Sequence, residues 1–214
     1  MRRRYLIVPL LAVALLWMAI FATGAWSELL VRGGSNPGMN EWHWPTGTEY
    51  HGGYLGWLDY NTGYKEFHLG RDFRAPVGTG VHAIAAGTVV DIERDIYGSK
   101  SSRGSAVLIR HATSGGIPFL ALYGHVTDIV VTEGVHVEAG QLLALLNDYE
   151  PSHLHFAIHP GAGVEADKIW RGYTPITSYT YGFVDPMAFL YKYRPATEVD
   201  SYSSSGVARL ERLR

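Results

Sequence analysis

Seven short runs decide the fold: VHAIAA (81–86), TVVDIER (88–94), SAVLIRHA (105–112), FLALYGHV (119–126), IVVTEG (129–134), QLLALL (141–146) and HLHFAI (153–158). Val, Ile and Leu dominate them, glycine marks the joints, and none has the length and 3.6-residue period of an amphipathic helix. The stretch from Val77 to about His159 therefore predicts a mainly β, antiparallel domain. QLLALL taken alone could be helical, but its brevity and flanking turn residues favour a strand.

Outward from this core the pattern changes. Residues 27–63 form a Gly/aromatic-rich arm, in which Trp42, Trp44, Tyr50, Tyr54, Trp57 and Tyr60 are interspersed with Gly47, Gly52, Gly53, Gly56 and Gly63. Neither a helical nor a strand period runs through it, so it reads as irregular chain with short turns. Its rings either pack the arm onto the domain, the plainer reading and the favoured one, or line a groove and stack on a sugar or peptide. Residues 160–183 read as an irregular excursion and residues 195–214, with their SYSSSG stretch, as a loose polar tail. The folded domain is expected over residues 64–194.

Leu6 to Ala25 is a stretch of 20 residues without a charge, enough as a helix to span the roughly 30 Å hydrocarbon core of a bilayer. Arg2, Arg3 and Arg4 before it orient its N-terminus inside. Residues 1–26 are thus an uncleaved signal anchor, which the length favours, or a signal peptide cut near Ala22-Thr23-Gly24-Ala25. Either way the chain after about residue 26 is exported, to stand on the periplasmic or cell-wall side of the membrane if anchored and to be secreted if cleaved.

Composition narrows the chemistry. With no cysteine, disulfides, thiolate zinc fingers, iron–sulfur clusters, a cysteine nucleophile and a lipidated cysteine are excluded. Ten histidines remain, so a bound metal must be held by imidazole and carboxylate. Beyond residue 26 there are 15 basic against 20 acidic residues and no Lys/Arg cluster, which argues against a nucleic-acid partner.

Two spacings stand out, His68-Leu69-Gly70-Arg71-Asp72 and His153-Leu154-His155. Random placement of these residue types gives about 0.4 His-x-x-x-Asp and about 0.5 His-x-His matches in such a chain, so neither pair alone is informative. Geometry adds weight. His-x-His on a strand puts both rings on one face about 7 Å apart, and the glycine inside His-x-x-x-Asp lets an imidazole and a carboxylate fold back toward one cation. Three protein ligands with a position left for water describe a catalytic rather than a structural zinc.

The context of the pairs is more specific. In order the chain reads HLGRDFRAPVGTGVHAIAAGTVV from His68, Tyr123-Gly124-His125-Val126, VTEGVHVEAGQLLALL from Val131, His153-Leu154-His155-Phe156, and Val184-Asp185-Pro186 with Phe189-Leu190. This succession resembles the lysostaphin-type zinc endopeptidases, the LytM-domain peptidoglycan hydrolases, over about residues 64–190. The resemblance implies a duplicated-hybrid-motif, barrel-sandwich-like β architecture. It implies one Zn2+ held by His68, Asp72 and His155, and catalytic roles for His125 and His153. It makes His111 a structural strand residue. His43, His51, His82, His136 and His159 are left as surface or locally bonded residues, while His51 and Asn40 are conceivable fourth ligands of a latent form.

Some positions depart from the family's pattern. Pro151-Ser152 stands before the His-x-His pair in place of glycine, Ala157 follows it in place of glutamate, and Val126 replaces leucine. Residues 160–183 exceed the usual turn. These changes bear on the groove and on bond specificity, since every implied ligand is retained.

Three functions compete. The leading one is an exported zinc metalloendopeptidase that cuts peptide stems or cross-bridges of peptidoglycan, held at the membrane through residues 6–25 if these are uncleaved. The second is a non-catalytic peptidoglycan-binding or hydrolase-activating protein of the same fold, disfavoured because all five site residues are present. The third is a biotinyl or lipoyl carrier, suggested by the runs VHAIAAGTVVDI and VEAGQ. Lys100 is the one lysine in the right interval, it lacks methionine neighbours, and export makes cofactor attachment implausible.

Overall fold

The computed structural model describes residues 41–47, 53–94, 103–160 and 168–193, all within one compact unit, Asn36–Arg214. The apolar stretch 6–25, the polar tail, Asn40, Tyr50, His51 and Lys100 lie outside the described residues. The elements are β1 (Tyr60–Asn61), β2 (Glu66–His68), β3 (Arg71–Arg74), β4 (Gly80–His82), β5 (Gly87–Glu93), β6 (Ser105–Ala112), β7 (Pro118–Thr127), β8 (His136–Val137), β9 (Leu142–Leu146), β10 (His153–His159), β11 (Tyr173–Thr174) and α1 (Pro186–Tyr193). Every pairing is antiparallel, as the run pattern predicts.

The main sheet has the order β3-β10-β7-β6-β5-β8, with β9 pairing both β4 and β7. A small second sheet, β1-β2-β11, carries the chain into and out of it. Five of the seven runs form strands where expected. VHAIAA pairs only over β4 and then turns toward β5, and IVVTEG forms no strand. Val130 N–H bonds the carbonyl of Leu143, but β9 already has β4 and β7 as neighbours. That leaves IVVTEG no ladder, although Val131 is buried.

The central strands are apolar along their length because both faces are covered. Leu154, Phe156 and Ile158 of β10, Ala121 and Tyr123 of β7, and Val107 and Ile109 of β6 face the main core. On the other face Ala157, Leu122, Ala106 and Leu108 join a smaller cluster with Leu69, Ile169 and Phe183. Burying Ala157 there fits a small apolar residue at that position. Helix α1 closes the main core with Phe189 and Leu190. Asp185 caps it, accepting from the N–H groups of Met187 (2.9 Å) and Ala188 (3.3 Å), and Pro186 fills the first helical position, where no N–H is needed.

His111 has the structural place expected of it. Its Nδ1–H donates to the carbonyl of Ala86 (3.0 Å), so Nε2 accepts from the Tyr123 hydroxyl (3.2 Å), which in turn accepts from Ile84 N–H (3.1 Å). This fully paired network ties β6 and β7 to the turn before β5. Burial lowers the His111 imidazole to about 4, below the ordinary value near 6.5. A depressed folded-state value means stability is intact above pH 6.5 and is lost as pH falls toward 4, by about 3 kcal/mol from this ring. Denaturant titrations at pH 7, 5.5 and 4.5 should show that loss, and His111→Gln should flatten the slope while lowering stability at pH 7.

The arm mostly follows the plainer reading. Trp42 and Trp44 pack against the main core and Trp57 against the smaller cluster. His43 N–H bonds Ile84 O, and His82 N–H bonds Pro45 O. Tyr54 differs: it is about half exposed and stands beside His153.

Candidate metal centre and active site

Strand register assembles the site. His155 on β10 lies directly opposite Asp72 on β3 and opposite Gly124 on β7, and Gly124 in turn faces Ala106 on β6. This row crosses the sheet on the face of the smaller cluster. Two of its four members are small, which leaves room for imidazole rings where the next row on that face carries Leu122 and Leu108. His68 ends β2, and its ring reaches the same point.

Three donors converge there. His68 Nε2 is 3.2 Å from Asp72 Oδ1 and 2.8 Å from His155 Nδ1, and His155 Nδ1 is 3.5 Å from Asp72 Oδ1. A tetrahedral ion with bonds of about 2.0–2.1 Å needs its donors about 3.3 Å apart, and these three separations bracket that value. Asp72 Oδ1 is buried without a properly directed hydrogen bond, a costly state that a bound cation relieves. Two imidazole nitrogens and one carboxylate oxygen suit Zn2+. Among the described residues this is the one grouping of His, Asp or Glu donors close enough to share an ion.

Main-chain groups fix the orientation of these side chains. His68 Nδ1–H donates to the carbonyl of Gly56 (3.0 Å), which leaves Nε2 with its lone pair toward the site. Leu55 N–H donates to Asp72 Oδ2 (3.2 Å), and Asp72 N–H returns a bond to the carbonyl of Leu55 (2.9 Å). The arm therefore supports the donors directly, a role its lack of period did not reveal. Burial works to raise the Asp72 carboxyl, but the imidazoles of His155 and His68 beside it more than offset this and hold it well below the ordinary carboxylate range. Burial likewise pushes the His155 ring down.

Gly70 explains the glycine inside the His-x-x-x-Asp spacing. A Cβ there would sit 2.7 Å from His155 Cε1 and 2.8 Å from the carbonyl of Phe156. Gly70→Ala is expected to push the His155 ring aside. Thermal unfolding should show a loss of about 1–3 kcal/mol, and zinc titration an affinity at least about tenfold weaker.

His125 and His153 stand beside the donors. Their ring centroids are 4.7 Å apart, His125 is 6.2 Å from His155, and His153 Nε2 is 3.7 Å from Asp72 Oδ2. His125 is the extra residue of a β-bulge: Ser105 pairs with Val126 and Ala106 with Gly124, so nothing opposes it, and its φ is +62°. Bulges re-aim a side chain next to functional sites, and this one turns an imidazole toward β10. Its Nδ1–H donates to the carbonyl of Arg103 (2.9 Å), and that of His153 donates to the carbonyl of Pro151. Pro151 thus holds a catalytic candidate in a segment where the motif usually has glycine. Burial and the neighbouring rings of His153 and His155 lower the His125 imidazole to about 3.

All five residues singled out by sequence therefore meet in one place. Around them stand aromatic groups that the motif did not mark. Tyr149 stacks on His125 (4.8 Å, 29°), Tyr54 lies 5.7 Å from His153, and Tyr173 lies 5.3 Å from His68 and 4.8 Å from Tyr64. The guanidinium of Arg103 sits over the rings of Tyr64 (5.3 Å) and Tyr149 (5.7 Å). Tyr149 lies only four residues before His153, and that nearness was a signal available in the sequence. Of the remaining histidines, His43 and His82 face one another (5.3 Å) and His159 Nε2 bonds the carbonyl of Tyr181. His136 lies beside Glu138 at the surface.

Residues 66–167 match the model of Peptidase family M23. The chain is 28% identical over 123 residues to the lipoprotein YgeR of Escherichia coli K12, covering 56% of this chain and 43% of the relative. It thus spans less than half the length of that curated relative. Among solved structures, the catalytic domain of lysostaphin from Staphylococcus simulans shares 24% identity at a TM-score of 0.46, over 64% of this chain and 90% of that one. A zinc-containing peptidase from Vibrio cholerae shares 23% at 0.45, over 56% and 37%.

Proposed function

Because residues 66–167 place this chain in peptidase family M23, we propose that it is an exported zinc-dependent endopeptidase hydrolysing peptide bonds of bacterial peptidoglycan, in its stems or cross-bridges. The observation that carries this reading is the convergence of His68, Asp72 and His155 at tetrahedral spacing, beside two imidazoles whose Nδ1–H groups are tied to main-chain carbonyls. The ligands are His68 Nε2, Asp72 Oδ1 and His155 Nδ1, and the acid–base residues are His125 and His153. When bound, zinc supplies Lewis acidity toward the peptide carbonyl and lowers the pKa of water at the site.

The chain's own residues manage the protons. With Nδ1–H committed to a main-chain carbonyl in each ring, Nε2 is the nitrogen that His125 and His153 each have left for proton transfer. One of these can accept a proton from the attacking water and return it to the leaving amine. No further cofactor is needed. The rings of Tyr54, Tyr149 and Tyr173 form walls against which an extended peptide can lie.

The finer features belong to the same reading. The domain spans residues 64–194 and has the barrel-sandwich-like form of duplicated hybrid motifs, with β9 closing between β4 and β7 in its support. Residues 6–25 direct its export and, if uncleaved, hold it outside the cytoplasmic membrane, in keeping with their apolar length; a lipoprotein among its relatives suits an extracytoplasmic place. Digestion of purified sacculi by the zinc-loaded chain tests the function. New free amino groups should accumulate without new reducing sugar ends, and a chelator should stop the reaction until zinc is returned. Reducing ends without amines, or neither product, would refute it.

A further inference from the structure

Arg74 ends β3, the edge strand of the main sheet. Register sets it directly opposite His153, as it sets Asp72 opposite His155. Side chains alternate between the two faces of a strand. Phe73 packs into the main core, so Arg74 shares the other face with Asp72. Asp72 N–H bonds the carbonyl of Leu55, away from β10, which makes Asp72 and His155 a pair that exchanges no main-chain hydrogen bond. Arg74 and His153, two residues along, are a pair of the same kind, with Cα atoms about 4.5 Å apart and side chains at their closest. The ring of Tyr54 lies 5.7 Å from that of His153, so this imidazole has both an aromatic wall and a cation beside it. Arg74 is exposed, and among the described residues it makes no hydrogen bond, ion pair or ring contact.

From this register we propose that Arg74 is a specificity residue that binds a free carboxylate of the substrate peptide, carried within about two residues of the scissile bond. Arg74 stands two residues from Asp72, about 6.6 Å along the strand. An extended peptide lying along β3 with one bond at the donor cluster therefore brings a group about two residues away to the guanidinium. The five N–H donors of that group lie in one plane and form the fork that matches a carboxylate, and a bidentate pair sets orientation as well as affinity. The charge balance supports an electrostatic purpose. Beyond residue 26 the chain has 20 acidic against 15 basic residues, so an anionic peptide is repelled overall and gains from a cation beside the reacting groups. This inference rests on the peptidase reading and deepens it from a peptide to a peptide that carries a carboxylate near the cut.

The test compares, by calorimetry on the zinc-loaded full chain, two peptides blocked at both ends: acetyl-L-alanyl-γ-D-glutamyl-L-lysine amide with its glutamyl α-carboxyl free, and the same peptide with that carboxyl as the carboxamide. The wild type should bind the acid at least about tenfold more tightly than the amide, as one charge-assisted bidentate contact allows. Arg74→Gln should bring the two within about twofold while leaving affinity for the amide within about twofold of wild type. Arg74→Lys, which keeps the charge but loses the fork, should fall between. A charge that only guarded the sheet edge against strand pairing would leave the preference in place. Absence of a preference in the wild type, binding of neither peptide, or a preference that survives Arg74→Gln because the carboxylate sits on zinc overturns the proposal. Sacculus digestion is read separately. An Arg74-dependent preference without digestion would uphold the subsite and refute the peptidase, and digestion without the preference would do the reverse.

Discussion

Asp72→Ala is expected to purify without zinc and to release no measurable peptide from sacculi. The carboxylate is the one anion in the donor set, and its loss leaves two imidazole nitrogens 2.8 Å apart. Loss of a mere supporting partner weakens a metal site by about 10- to 100-fold, so loss of a donor should exceed the upper figure. Hydrolysis should fall further than the about 100- to 1,000-fold caused by removing one oxyanion donor, because the Lewis acid itself is gone. Asp72 also pairs with Leu55 through main chain and side chain, so alanine also loosens the arm; Asp72→Asn keeps the volume and a neutral acceptor, and it should fold while still losing most zinc. Metal content by mass spectrometry and amine release are the readouts.

The second large effect separates chemistry from metal binding. Replacing His125 should leave one zinc per chain and cut amine release by about 100- to 10,000-fold, the usual contribution of an acid–base group. The choice of replacement matters because the residue sits at φ +62° in a bulge. Alanine there carries a left-handed penalty of about 1–2 kcal/mol, whereas asparagine tolerates that region. His125→Asn should therefore match the wild type in thermal stability more closely than His125→Ala while being equally inactive. Activity lost only in the alanine variant would show that the bulge, not the imidazole, is what catalysis requires.

Most of the site was legible because it is written in spacing. His153 and His155 are two apart on β10 and must share a face, and the pairing of His155 with Asp72 follows once β3 and β10 are neighbours. The five strands with long apolar runs were legible for a related reason, since a sheet covered on both faces needs continuous rather than alternating hydrophobicity. IVVTEG shows where composition falls short. Its residues suit a strand, but pairing depends on an edge elsewhere in the sheet, and β9 had none to offer. The bulge at His125 was equally hidden, because the mismatch between β6 and β7 lies in the register of two distant segments. Leu55 supports Asp72 through main-chain atoms, which any residue type can supply, so its side chain carried no trace of that role.

The proposed peptidase chemistry depends on one ion held by His68, Asp72 and His155, and anomalous scattering at the zinc edge from crystals of the zinc-loaded chain tests this most directly. The expected map has a single strong peak per chain, about 2.0–2.2 Å from His68 Nε2, Asp72 Oδ1 and His155 Nδ1. A peak placed on other side chains, or none at these three at saturating zinc, would contradict it.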